Sequence, residues 1–137
     1  MDFFLMNIKD LREHEEIEPI YLEKLKSQIM KDGHLKIPII VDKNTNIILD
    51  GHYRLNSLKK LGFSKIAVYF VDYNSPSIFV HVWRNGEIIT KEDVLRAGLT
   101  GNKFPPKTSK HMFKIANNFI HVSEFAKKIN ISLEELK

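Results

Sequence analysis

The spacing of apolar residues changes several times along this chain, and each change marks an element. Leu22, Leu25 and Ile29 follow Pro19 at three- and four-residue intervals, which predicts an amphipathic helix stopped at Asp32-Gly33. Ile37 to Val41 is a continuous apolar run, the turn-forming cluster Asp42 to Asn46 breaks it, and Ile47 to Leu49 resumes it. That order predicts a β-hairpin with Pro38 at its edge or start. From His52 the helical period returns through Leu55, Leu58 and Leu61, with Gly62 as the stop, and Ile66 to Val71 alternates as a strand.

The second half is patterned less sharply. Ser77 to Trp83 reads as a strand, and Asn85-Gly86 predicts a tight turn into a partner strand over Glu87 to Ile89. Thr90 and Asp93 have the spacing of a capping box, opening a helix through Ala97 that Gly98 ends. Gly101 to Lys110 reads as a loop and about His111 to Phe119 as a helix. Ser123 is then expected to cap a helix over Glu124 to Ile129, and Ser132 with Glu135 has the spacing of a second cap. Strands and helices mixed in this order predict an α+β fold with a small sheet.

Composition sharpens this picture in three ways. A chain of 137 residues, 43% hydrophobic and 28% charged, is expected to form one globular domain with a real core. The absence of cysteine excludes disulfides, thiolate metal sites and thiol catalysis. With no basic, apolar leader at Met1 to Met6 and no run of about 20 apolar residues, a cytoplasmic protein is expected. The net charge of +4 lies wholly in residues 103–137, where seven lysines face three glutamates. An anionic ligand, a phosphorylated small molecule or nucleic acid, would meet this end, although a solvated lysine face explains the excess equally well.

Three segments carry candidate chemistry. Leu49-Asp50-Gly51-His52-Tyr53-Arg54-Leu55 spans the junction of a predicted strand and helix, where unpaired backbone N–H groups and the positive end of the helix dipole bind phosphate. Gly51 lets a ligand approach the backbone, His52 and Arg54 add donors, and Asp50 is suited to Mg2+ held on those phosphates. A plainer account has Asp50 capping the helix and Arg54 paired with a surface carboxylate. Glu13-His14-Glu15-Glu16-Ile17-Glu18 precedes the first helix; its acids either serve the dipole or supply a general base. Phe104-Pro105-Pro106-Lys107-Thr108-Ser109-Lys110-His111 combines a fixed backbone with two lysines, two hydroxyls and a histidine, a cradle for phosphate or carboxylate at an expected helix start. The six histidines show no metal-ligand spacing, and there is no Walker-type loop or serine-hydrolase elbow.

Asp50-Gly51-His52-Tyr53-Arg54 with Leu58-Lys59-Lys60-Leu61-Gly62 resembles the phosphate-binding segment of the ParB/sulfiredoxin-like superfamily, which includes partition nucleotidases, sulfiredoxins and free L-serine kinases. Sulfiredoxins need a cysteine in this motif, and none is present. ParB clamps carry a helical DNA-binding region, for which the residues after the basic loop are too few. His14-Glu15 and Pro106-Lys107-Thr108-Ser109-Lys110-His111 are similar to the marks of the free L-serine kinases, and the tail Ile129 to Leu136 looks like that family's ending.

The resemblance implies a ParB/sulfiredoxin-like domain, a small mixed sheet flanked by helices, with residues 1–75 holding nucleotide and 76–137 completing the substrate site. It implies transfer of a phosphoryl group from ATP or ADP to L-serine with Mg2+. Glu15 would be the base and Asp50 the metal carboxylate; Gly51, His52 and Arg54 would hold nucleotide phosphates. Lys107, Thr108, Ser109, Lys110 and His111 would hold the amino acid or its phosphate, and Trp83 would line the pocket unless it is simply core. Lys110 stands where the family has arginine, and a lysine cannot make the planar two-pronged grip on carboxylate. Tyr53 replaces a second histidine. The competing expectation is a nucleotide-dependent nucleic-acid-binding regulator, with Val122 to Ile129 as the first helix of a helix-turn-helix, Asn130-Ile131-Ser132 as its turn and Leu133 to Lys137 as a short recognition helix.

Overall fold

The computed structural model describes residues 3–83 and 86–137. The first half follows the sequence pattern closely. Strand β1 (Phe4–Asn7) leads through a 3-10 turn to helix α1 (Pro19–Asp32) and the short β2 (His34–Leu35). Strands β3 (Ile39–Asp42) and β4 (Ile48–Asp50) form the expected hairpin, helix α2 (His52–Lys60) follows at once, and β5 (Lys65–Val71) returns alongside β3. The four-stranded sheet has the order β1-β5-β3-β4; only β3 and β5 are parallel, the chain between them returning through β4 and then α2. Ile39, Ile40, Val41, Ile66, Ala67 and Val68 are buried on both faces, which explains why these strands read as apolar runs rather than as alternation.

One face of this sheet packs under α1 and α2 through Ile29, Leu55 and Leu58. The other face, through Ile40, Ile47, Leu49 and Val71, packs on Ile78, Val94 and Val122 of the second half. That half comprises β6 (Ile78–Val82), α3 (Lys91–Thr100), β7 (Ser109–Ile115), β8 (Asn118–His121) and β9 (Ile131–Ser132). β6, β7 and β8 form an antiparallel sheet in the order β6-β7-β8, and β9 pairs with β2. The α+β class is as expected.

Several local expectations are corrected. The turn at Asn85-Gly86 falls partly outside the described residues, but Glu87 to Ile89 is not a strand; the partner of β6 is β7. Helix α3 does not stop at Gly98 but runs to Thr100, with the Thr90–Asp93 capping box in place. Gly98 is there for contact: a Cβ at that position would lie 2.7 Å from Ile47. His111 to Phe119 is no helix but the β7–β8 hairpin, turning at Ala116 in the left-handed region (φ 54°). No α-helix spans Glu124 to Ile129 either; one 3-10 turn, Val122–Glu124, is followed by irregular chain whose Ile129 amide bonds to Lys36 O, so the helix-turn-helix reading loses its first helix. The Ser132–Glu135 cap holds, on the 3-10 segment Leu133–Leu136. Among the described residues no helix is long and apolar enough to cross a membrane.

Candidate active site

The junction between β4 and α2 is made by Gly51 alone. Its φ of 111° is open to glycine and strained for any other residue, and a Cβ would collide with the Ile39 side chain. Gly51→Ala should lower stability by roughly 3 kcal/mol, from left-handed strain and overpacking together, read as a reduced urea midpoint. No side chain caps the helix that begins here. The capping role considered for Asp50 is therefore not seen: Asp50 Oδ2 instead lies 3.2 Å from Arg54 Nη2, so the Arg54 partner is Asp50 itself. The N–H groups of the first turn of α2 remain for an anion.

Beside this helix start lies a cavity of about 280 Å³. Nine of the eleven residues proposed from sequence line it: Glu15, Asp50, Gly51, His52, Trp83, Lys107, Ser109, Lys110 and His111. Two do not. Arg54 is folded back onto Asp50 and the carbonyl of Pro38 (3.4 Å), and Thr108 is buried with its hydroxyl donating to Pro105 O at 2.6 Å. Trp83 is not core; it is 54% exposed at the cavity edge, its indole N–H donating to Ser109 O at 3.1 Å and its ring under Lys110 Nζ at 4.6 Å.

Glu15 is held from both sides. The segment around it runs beside Phe104, with the Glu16 amide bonded to Phe104 O (2.8 Å) and the Phe104 amide to His14 O (2.9 Å). Pro105-Pro106 then turns the chain so that Lys107 takes a left-handed φ of 56°, a strained position for lysine, and its Nζ rests 4.4 Å from the Tyr21 ring centre. After this turn the amides of Thr108 (3.2 Å) and Ser109 (2.9 Å) and the Ser109 hydroxyl (3.0 Å) all converge on Glu15 Oε1. Burial raises the carboxyl pKa above the ordinary glutamate value, while these donors pull it back. The basic segment thus enters the site as strand β7, not at a helix start.

Three buried histidines form the floor. His14 Nδ1 donates to Ile48 O (2.7 Å), His111 Nδ1 to Leu49 O (3.0 Å), and His52 Nε2 accepts the His14 amide (3.1 Å). Tyr73 donates its hydroxyl to His111 Nε2 at 2.8 Å. Burial lowers the pKa of His14 to about 4 and those of His52 and His111 well below the ordinary value, so all three rings are neutral near pH 7. The positive charge facing the cavity is therefore that of Lys107 and Lys110. Sequence reasoning singled out His14, and Leu49 and Tyr53 within the strand–helix motif, without giving them a role; it missed His121, which also lines the cavity. His121 approaches Asp50 (4.0 Å) only because β8 folds back on β7, and nothing in its local sequence announces that.

No protein-family model matches the sequence. The fold is that of a known class: a free serine kinase in complex with AMP superposes with a TM-score of 0.81, covering 99% of this chain and 94% of that one at 17% identity, so the chain has the free-serine-kinase fold. Sequence relatives point the same way. A ParB-like protein of Sulfolobus acidocaldarius is 39% identical over 89 residues, 64% of this chain and 43% of the relative. An ATP-dependent L-serine kinase of Staphylothermus marinus is 32% identical over 83 residues, 58% of this chain and 33% of the relative. The chain thus matches less than half the length of these curated relatives. The resemblance to the L-serine kinases of the ParB/sulfiredoxin-like superfamily, read from Asp50-Gly51-His52 and the later basic segment, is borne out.

Proposed function

We propose that this protein is a free L-serine kinase that transfers a phosphoryl group from ATP or ADP to the hydroxyl of L-serine, giving O-phospho-L-serine. The observation that carries the reading is one cavity in which a half-buried carboxylate, Glu15, faces an uncapped helix start and two lysines, on the fold of the free serine kinases. Relatives named for ATP and for ADP leave both nucleotides as donors. Residues 1–75 supply the nucleotide end and residues 76–137 complete the substrate end, in a cytoplasmic setting.

In this reading the N–H groups at Gly51 to Arg54 hold the nucleotide phosphates, with the His52 Nδ1–H as a further donor. Lys107 and Lys110 hold the carboxylate of serine and the phosphate it acquires, and Trp83 and His111 wall the amino acid. Glu15 accepts the hydroxyl proton of serine as its oxygen bonds to phosphorus. The bond from that phosphorus to the departing nucleotide breaks, giving ADP from ATP or AMP from ADP. The three bonds to Oε1 fix the carboxylate's orientation, which fits a base that must meet its proton at one place.

Among the described residues no group of three or more acidic or imidazole side chains could hold a metal by itself. The donor set fits Mg2+ carried by nucleotide phosphates with Asp50 as its one protein ligand, and such an ion supplies charge neutralisation at the transferring group. Asp50→Asn should weaken nucleotide binding in the presence of Mg2+ about tenfold and leave binding without Mg2+ unchanged; identical calorimetric titrations of both proteins would remove Asp50 from that role.

The reading is tested by incubating the protein with L-serine, Mg2+ and either nucleotide and following phosphorus NMR. O-phosphoserine with ADP or AMP supports it, and no phosphoserine with either donor overturns it. The ParB-like relative favours a second reading, nucleotide-dependent binding of nucleic acid. A gel shift of random-sequence duplex at low salt, dependent on nucleotide and without phosphoserine formation, would select it.

A further inference from the structure

The floor of the cavity contains one hydrogen-bond donor with two claimants. The Ser109 Oγ lies 3.0 Å from Glu15 Oε1 and 3.0 Å from His14 Nε2. A carbonyl oxygen only accepts, so the 2.7 Å contact from His14 Nδ1 to Ile48 O fixes the proton of that neutral ring on Nδ1. Nε2 is left as a bare acceptor. Because a hydroxyl has a single proton, Ser109 serves either the carboxylate or the imidazole, never both.

We propose that Ser109 is a positioning residue that sets the basicity of Glu15 by sharing its one hydroxyl proton between the Glu15 carboxylate and the buried ring of His14. The inference rests on Glu15 being the base of the preceding reading, and gives Ser109 a task other than substrate contact. While Glu15 is charged, the hydroxyl is held by the carboxylate, a charge-assisted bond that is the stronger of the two. Once Glu15 has taken a proton that advantage disappears, and the hydroxyl turns to His14 Nε2, the only other acceptor within 3.0 Å among its described bonds. The amides of Thr108 and Ser109 donate to Glu15 in both states, so the hydroxyl is the adjustable member of the three. Proton uptake by Glu15 is thereby matched by satisfaction of a buried imidazole, instead of leaving an unpaired group in a dry floor.

The charged and titratable groups around Glu15 are Glu13, His14 and Glu16 on its own segment and Lys107 on the turn. Lys110 and His111 come from β7, Asp50 and His52 from the β4–α2 junction, and His121 from β8. None of them changes when Ser109 does. The test is a carbon-13 NMR titration of glutamate side-chain carboxyls in the full chain without ligand, with the Glu15 signal identified by its loss in Glu15→Gln. In Ser109→Ala the Glu15 midpoint should rise by about one pH unit, since one bond favouring the carboxylate is gone. Ser109→Thr, which keeps the hydroxyl, should restore it. His14→Phe, which removes the competing acceptor, should move it the opposite way.

An unmoved midpoint in Ser109→Ala, or a raised one that Ser109→Thr does not restore, overturns the proposal. A midpoint that does not fall in His14→Phe, or in His14→Leu should the phenylalanine variant not fold, overturns the sharing as well. The acid limb of the pH–kcat profile should follow the same order. If the wild type forms no phosphoserine, the kinase reading fails while the NMR order still decides the role of Ser109.

Discussion

Replacing Glu15 by glutamine should lower phosphoserine formation by about 1,000-fold while nucleotide affinity stays within twofold of wild type. The substitution isolates one property. Glutamine keeps the oxygen that accepts from the Thr108 amide, the Ser109 amide and the Ser109 hydroxyl, so the strap between the Glu15 segment and the start of β7 survives. What it loses is the capacity to take a proton. The Gly51 junction and the first turn of α2, where the proposed function places the nucleotide, do not share those bonds. Phosphorus NMR gives the rate and calorimetry the affinity. Turnover within tenfold of wild type would remove Glu15 from the chemistry and move the base to Asp50, the other carboxylate of the cavity.

The second large effect is on stability as the solution is acidified. His14 titrates near pH 6.5 in the unfolded chain and at about 4 in the fold, so between those values the unfolded state binds more protons. Its contribution is fully present above pH 6.5 and is lost as pH falls toward 4, about 3 kcal/mol in all. His52 and His111 are lowered in the same direction, chiefly by burial and next by the nearby His14 ring, and add to the loss. Glu15, raised by burial, works with the opposite sign in a window above 4.5, where the fold holds the proton longer than the unfolded chain. Three histidines outweigh one carboxyl. The melting temperature should be flat above pH 7 and fall by more than about 10 °C between pH 6.5 and pH 5. A melting temperature that stays constant across that interval would mean that the three rings accept protons within the fold.

Much of the first half was legible in the sequence because the local signals agree with the tertiary result. Pro19 and the Leu22, Leu25, Ile29 spacing gave α1, the Asp42 to Asn46 cluster gave the β3–β4 turn, and the strand-to-helix junction at Gly51 is where it was expected. The second half was harder to read for specific reasons. The β7–β8 turn falls at Ala116-Asn117, where the turn-forming Asn117-Asn118 pair was passed over in favour of a helix across His111 to Phe119. Gly98, a natural helix stop, is instead required by the approach of Ile47. Ser123 to Ile129 has the composition of a helix, but the chain makes only one 3-10 turn there before the Ile129 amide bonds to Lys36 O and Ile131 pairs with Leu35. Within the site, the residue types of the Glu15, Asp50 and Lys107 to His111 segments were readable. Their joining in one cavity followed only from the family resemblance, and two local details did not show at all: Arg54 turns away to Asp50, and His14 is buried among acidic neighbours.

The bonds that orient Glu15 join residues 93 and 94 positions apart. Contacts of such separation close late, because the chain between them must first be ordered. During synthesis the N-terminal sheet can be complete, with its phosphate-type turn already formed, while the carboxylate still lacks every partner that aims it. The order of assembly thus separates a stage with only the Gly51 junction formed from one with an oriented base. Competence for the chemistry would arise only when β7 docks.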